Sequence, residues 1–285
     1  MLFIVGLIVM FGSVIGGYLM HHGKLSVLWQ PSEFIIIIGA AFGAFLINNT
    51  MDIVKDAGKS LSKLFKGKPY NKNFYLEFLS FQFLVFKTLK AKGLLSIEPH
   101  IEKPEESEIF KKFPKVLHDH HLMDFFCDSI RLLTMGVDNH YQLEDILDKQ
   151  IEAHHHALEE AAGAINAMGE SMPALGIVAA VLGVIVTMGS ITEPPAILGA
   201  LIGAALVGTF TGVLISYGLL GPIAGFLGKY ANAESKAYEC MKVGIICHMQ
   251  GNAPIVTAEF VRKIIPPHEQ PAFKEMEESF NKLEA

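Results

Sequence analysis

Gly169 to Ser190 reads GESMPALGIVAAVLGVIVTMGS, an apolar run with a proline, Pro173, near its head. A hydrocarbon core about 30 Å thick takes roughly 20 helical residues to cross, so the run is long enough to span a membrane. What precedes the proline decides how the chain enters it. If Ser171 caps a new helix, Pro173 falls in the first turn, where its missing N–H costs little. Upstream, however, Leu143, Leu147, Ile151, Leu158, Ala162 and Ile165 recur mostly at intervals of three and four, the stripe of a helix leading toward this run. If that helix is continuous with the span, Pro173 removes an interior hydrogen bond and leaves the Gly169 carbonyl without its donor. A start is passive; a weakened interior is a hinge.

Working outward, the chain is 51% hydrophobic yet carries 23 Lys+Arg and 29 Asp+Glu. Its polar residues must therefore be segregated from long apolar segments. Four spans are expected: Leu2 to Met20, Phe34 to Met51, Ser171 to Thr192, and one within the stretch free of Asp, Glu, Lys and Arg from Pro194 to Gly228. The first lacks the basic start and small-residue cleavage site of a signal peptide, so it is read as a retained helix. The chain is thus an all-α integral membrane protein with a large helical insertion between the second and third spans and a helical tail after the fourth. The expected divisions are a hairpin over 1–52, an insertion over 53–170, a hairpin over 171–228 and a tail over 229–285.

Lysines set the orientation. Lys55, Lys59, Lys63, Lys66, Lys68 and Lys72 follow the second span and Lys229, Lys236 and Lys242 follow the fourth. The link between the first two spans has only Lys24, and that between the last two has no basic residue. Positive charge stays inside, so the insertion and both termini are expected in the cytoplasm. Cys127, Cys240 and Cys247 are odd in number and fall in or beside those segments, which implies no disulfide framework. A net charge of -6 offers no basic surface for nucleic acid.

Within the insertion, NFYLEFLSFQFLVFKTLKAK from Asn73 to Lys92 is too apolar for a free helix and must pack on another or lie near the membrane. Tyr238, Met241, Ile245 and Met249 repeat the helical spacing, so the fourth span is expected to continue as a long helix. The spans carry small-residue ladders: Gly176, Ala180 and Gly183 in the third, and Gly199 and Gly203 beside Ala200, Ala204, Gly208 and Gly212 in the fourth. Such ladders let helices approach closely in lipid, either inside one bundle or around an oligomeric ring. No Asp, Glu, Lys or Arg is expected in the middle of a span; the polar groups there are hydroxyls such as Ser13, Thr187, Thr209, Thr211, Ser216 and Tyr217. If the chain conducts ions, another chain must supply the carboxylate.

The runs around Pro173 and Pro222, GNAPIVTAEFVRKIIP from Gly251 and SIEPHIEKPEESEIFKKFP from Ser96 closely resemble the MotA family of flagellar motor stator proteins, over nearly the whole chain. The resemblance implies a ring, understood as pentameric, around the helices of two MotB-type chains whose membrane aspartate carries the proton, in a bacterial inner membrane. It implies that Pro173 and Pro222 lie at similar depth and couple aspartate protonation to movement, which favours the hinge over the helix start. Rotor contact with FliG falls on Lys90 and Glu98. Lysine at 90 keeps the charge of the family's arginine but loses its bidentate fork, and Lys92 is a possible substitute. Sodium-driven relatives carry threonines where this chain has Ala180 and Gly208, next to Thr209. A sodium ion needs oxygen ligands to replace its water shell, so their loss implies proton coupling. Thr209 would then face the partner's aspartate, with Ala180 and Gly208 leaving room for a moving helix; alternatively Thr209 bonds a carbonyl one turn back.

Two rivals are an ExbB/TolQ-type energiser of outer-membrane processes and a membrane metalloenzyme built on His118, His120, His121 and His154 to His156. Adjacent histidines on a helix diverge by about 100°, whereas zinc pairs are spaced by four. No nucleophilic triad or nucleotide loop is visible. Neither an enzyme, a metal site nor a cofactor is expected.

Overall fold

The computed structural model describes residues 2–67 and 69–284, so Lys68 of the lysine run lies outside it. In chain order the helices are α1 (Leu2–Met20), α2 (Leu25–Leu28), α3 (Pro31–Phe34), α4 (Ala40–Asn48), α5 (Met51–Leu61), α6 (Lys63–Lys66), α7 (Lys72–Lys92), α8 (Glu98–Glu102), α9 (Pro114–Leu117), α10 (His120–Thr134), α11 (His140–Met188), α12 (Pro195–Ile215), α13 (Gly221–Met249), α14 (Pro254–Ile264) and α15 (Phe273–Glu284). Wider π-helical turns join α3 to α4 at Ile35–Gly39 and α12 to α13 at Ser216–Leu220. No strand occurs among the described residues. Four helical stretches are long and apolar enough to cross a membrane, lying within Leu2–Met20, Leu25–Asn48, His140–Met188 and Pro195–Met249.

Packing divides the chain into two units, 2–67 with 157–229 and 69–156 with 230–284. Residues 53–67 and 157–170 therefore pack with the spans, although their polarity suggested the insertion. The reason is the amphipathic α5: Ala57, with Leu64 beyond it, is buried in a cluster with Phe45, Ile165, Ile223 and Leu227. A second cluster joins Ile37 and Ala41 to Met172 and Ala179.

In the other unit the aromatic run becomes α7, its N-terminus capped by Asn71, whose side chain accepts from Phe74 N–H. It is too apolar to bury only one stripe. Phe74, Tyr75, Phe78, Phe81, Val85 and Phe86 are all buried, and α14 and α15 pack on it. Phe81 meets Phe110, Phe113 and Phe126 edge-on, and Phe83 stacks on Phe280 with centroids 4.2 Å apart. Tyr238, Met241 and Ile245 of α13 join the same core, as the long-helix reading required. Cys127, Cys240 and Cys247 are free and buried, and burial pushes the Cys127 thiol up to about 12, which leaves it unreactive.

Candidate functional site

Helix α11 passes through Pro173 without a break. Ser171 is no cap: its hydroxyl donates to the Met168 carbonyl, 2.7 Å away, as a residue inside a helix does. The helix-start reading is thereby overturned. An interior proline costs roughly 3 kcal/mol in an ordinary helix, so packing must hold this one. Gly169, whose carbonyl Pro173 cannot serve, is one place where that packing is close. A methyl group built there would stand 2.9 Å from Leu220 Cβ and 3.8 Å from the Gly221 nitrogen.

Leu220 and Gly221 immediately precede Pro222, so the turn before Pro173 packs against the turn before Pro222. Pro222 is the second residue of α13, directly after the π-helical turn. There the Gly221 N–H donates to Ser216, five residues back rather than four. The wider turn makes room for a pyrrolidine ring that would otherwise meet the carbonyl one turn behind it. The sequence reading missed this turn because nothing in SYGLL is peculiar to π geometry.

The small-residue ladders of α11 and α12 pack on each other. A methyl at Gly176 would come 2.9 Å from the Gly208 carbonyl oxygen, one at Gly212 2.5 Å from that of Met172, and one at Gly183 2.7 Å from Ala205 Cβ. Gly199 and Gly203 face open space. Packing within one chain therefore accounts for most of the ladder, and only its outer end remains for other chains. The room at Gly208 is likewise filled from within: a methyl there would meet Ala179 Cβ at 3.1 Å and the Ala180 nitrogen at 3.4 Å. Thr209 is half-buried and makes a long bond of 3.5 Å to the Gly176 carbonyl. That acceptor is on the neighbouring helix, not one turn back.

The second span was expected to begin at Phe34, with no carboxylate in the middle of any span. Its helix begins at Pro31, and Glu33, in the first turn, is only 6% exposed. Its Oε2 lies 2.5 Å from where a Gly208 Cβ would be and has no hydrogen-bond partner in the chain. The sequence offered only a first-turn glutamate two residues after a proline, an arrangement that usually faces water and the helix dipole.

Of the residues assigned to rotor contact, Lys90 and Glu98 are both exposed. Gly93, at φ 80°, ends α7 between them, a backbone conformation that glycine adopts without strain. Lys90 Nζ donates to the carbonyls of Gly251 (3.0 Å) and Asn252 (3.3 Å), just beyond α13. Glu98 opens α8. Lys92 is exposed as well.

The histidines have protein partners. His154 Nε2 lies 3.0 Å from the buried Glu234 carboxylate and its ring stacks on Tyr238, while His155 Nδ1 lies 2.8 Å from Ser235 Oγ. Nearby, Asp119 accepts from Tyr70 Oη at 2.8 Å and caps α10; burial nevertheless raises its carboxyl above the ordinary range. Among the described residues no three His, Cys, Asp or Glu side chains gather as a metal would need.

Comparison with known proteins gives this arrangement relatives. Residues 4–93 match the Motility protein A N-terminal family, and residues 118–240 match the MotA/TolQ/ExbB proton channel family. The chain is 40% identical to Motility protein A of Escherichia coli K12 over 98% of its own length and 94% of that protein's. It is 33% identical to Chemotaxis protein LafT of Vibrio parahaemolyticus over 95% of each. The fold is similar to a chain of C. jejuni MotAB (TM-score 0.79, 21% identity, 95% of this chain and 98% of that one). It is also similar to a chain of the flagellar MotAB stator complex from Bacillus subtilis (TM-score 0.71, 23% identity, 92% and 95%). The four spans and the 40% identity over nearly the full length agree: the chain belongs to the motility protein A family of multi-pass inner-membrane proteins, within the MotA/TolQ/ExbB proton channel family.

Proposed function

We propose that this chain is the membrane stator subunit of a flagellar motor, which forms with a MotB-type single-span partner a proton pathway and turns proton flow into torque. The observation that carries this is the 40% identity to Motility protein A across both span hairpins, the insertion and the tail. An ExbB/TolQ-type energiser is disfavoured by the match of residues 4–93 to the Motility protein A N-terminal family.

In this reading Pro173 and Pro222 are the coupling positions. The contact of Gly169 with Leu220 supports it, because a change in one proline-weakened turn is felt directly by the other. Ala180, Gly208 and Thr209 lie along the ion pathway, with Thr209 able to turn its hydroxyl from a weak bond to another acceptor. Lys90 and Glu98, both exposed, meet the rotor protein FliG. Five copies form the ring, and both termini face the cytoplasm with the lysine-rich segments.

Expression of the chain with its own partner in a cell lacking stators tests the function. Restored swimming that stops when the proton gradient is collapsed is the expected result. A complex that assembles and is inserted but never turns the motor would overturn it.

A further inference from the structure

We propose that Glu33 is a second proton-carrying site of the pathway, built into this chain rather than supplied by the partner. The inference rests on the stator reading above. A titratable side chain buried without a partner at the end of a membrane span is costly to keep there, which marks it as functional.

Four observations carry the assignment. Glu33 is 6% exposed, and its Oε2 has no hydrogen-bond partner within the chain. Its place depends on Gly208, since any side chain at 208 would begin 2.5 Å from that oxygen. No other Asp, Glu, Lys, Arg or His occurs in residues 25–51, 171–188 or 195–215, the elements packed around it. An ionised carboxylate there has no counter-charge, and uptake of a proton removes the cost. Finally, the π-helical turn Ile35–Gly39 starts two residues after Glu33; such turns are frequent at functional sites and free the preceding turn from strict α geometry.

The position suits transfer. Gly208 adjoins Thr209 in sequence and Ala180 in space, so the carboxyl stands beside the pathway residues. Ala180 lies eight residues before Met188, the end of α11, which places it about 12 Å inside that end at helical rise. In the step we assign, the Glu33 carboxylate takes a proton from hydronium on the outer side, releasing water. The neutral acid then gives that proton to the partner's carboxylate, leaving the partner neutral and Glu33 ionised for the next cycle.

The test uses the complete complex in stator-less cells, comparing wild type with Glu33→Gln, which keeps the shape but cannot titrate, and Glu33→Asp, which titrates with a shorter reach. Membrane level and co-purification with the partner report assembly; motor speed is read against external pH. Glu33→Gln is expected to assemble, to lower proton flux roughly tenfold or more, and to flatten the dependence of speed on pH. Glu33→Asp is expected to restore part of the speed with a displaced pH profile. Wild-type speed and profile in Glu33→Gln would overturn the proposal. If Glu33→Gln does not assemble, Glu33→Asp decides: a displaced profile supports a proton carrier, and an unchanged one assigns Glu33 to packing alone. Failure of the stator reading looks different, because the wild-type pair itself would then not swim.

Discussion

The two units of this protein are held together by opposite means. Where α11 and α12 cross the membrane, backbones touch: Gly176 lies on Gly208, Gly183 on Ala205 and Gly212 on Met172, while large side chains such as Ile185 and Val186 remain 62% and 66% exposed. In the other unit the contacts are between rings, with Phe81 fully buried among Phe110, Phe113 and Phe126. Lipid tails are as apolar as valine, so turning Val186 inward gains nothing there, and stability comes from close approach. Water makes the same burial the dominant gain. A side chain's value in each unit therefore depends on the solvent it leaves.

The sharpest way to break this contrast is to add atoms in one unit and remove them in the other. Gly212→Leu puts a side chain where a methyl already stands 2.5 Å from the Met172 carbonyl. It is expected to prevent the spans from packing, read as loss of the chain from the membrane fraction. Phe81→Ala should cost about 3–5 kcal/mol of the stability of its unit, read by hydrogen exchange in α7 of the full chain; a cost under about 1 kcal/mol would contradict the ring-packed core.

Next comes function without collapse. Pro173→Ala or Pro222→Ala restores an interior N–H donor, so each should assemble normally but lose most of its torque. Full-speed rotation of both variants would return the prolines to a structural role. Charge reversal at Glu98, on an exposed turn, should weaken rotor engagement while proton flux stays intact.

The smallest effect is expected from acid. In the second unit the buried Arg262 donates to both oxygens of Glu259 and to the Pro271 carbonyl. The hydrogen bonds from Arg262 hold the Glu259 carboxyl below its ordinary value of 4.5. A carboxyl lowered by folding contributes stability that is present above that value and fades as pH falls through the folded one. Wild type should therefore lose its advantage over Glu259→Gln on acidification, as thermal unfolding at neutral and acid pH would show.

Much of this could be read from the chain. The apolar runs marked four spans, the aromatic run of α7 announced a core, and the period of Tyr238, Met241 and Ile245 predicted the extension of α13 that joins it. The π-helical turns and the limits of the units were not legible, because an ordinary local sequence can sit in either an α or a π turn, and α5 joins the spans through contacts distant in sequence.

By itself the sequence determined which segments leave water and which family the motifs resemble, since these follow from local composition. Only the tertiary structure decided that Ser171 bonds backward inside a continuous helix and that Gly208 is filled by its own chain. The same holds for Thr209, which reaches Gly176, and for Glu33, which is buried against Gly208. The reason is rotational. Successive residues on a helix point about 100° apart, so whether a group meets lipid, a neighbouring backbone or an unpaired carboxylate depends on how two helices are turned toward each other.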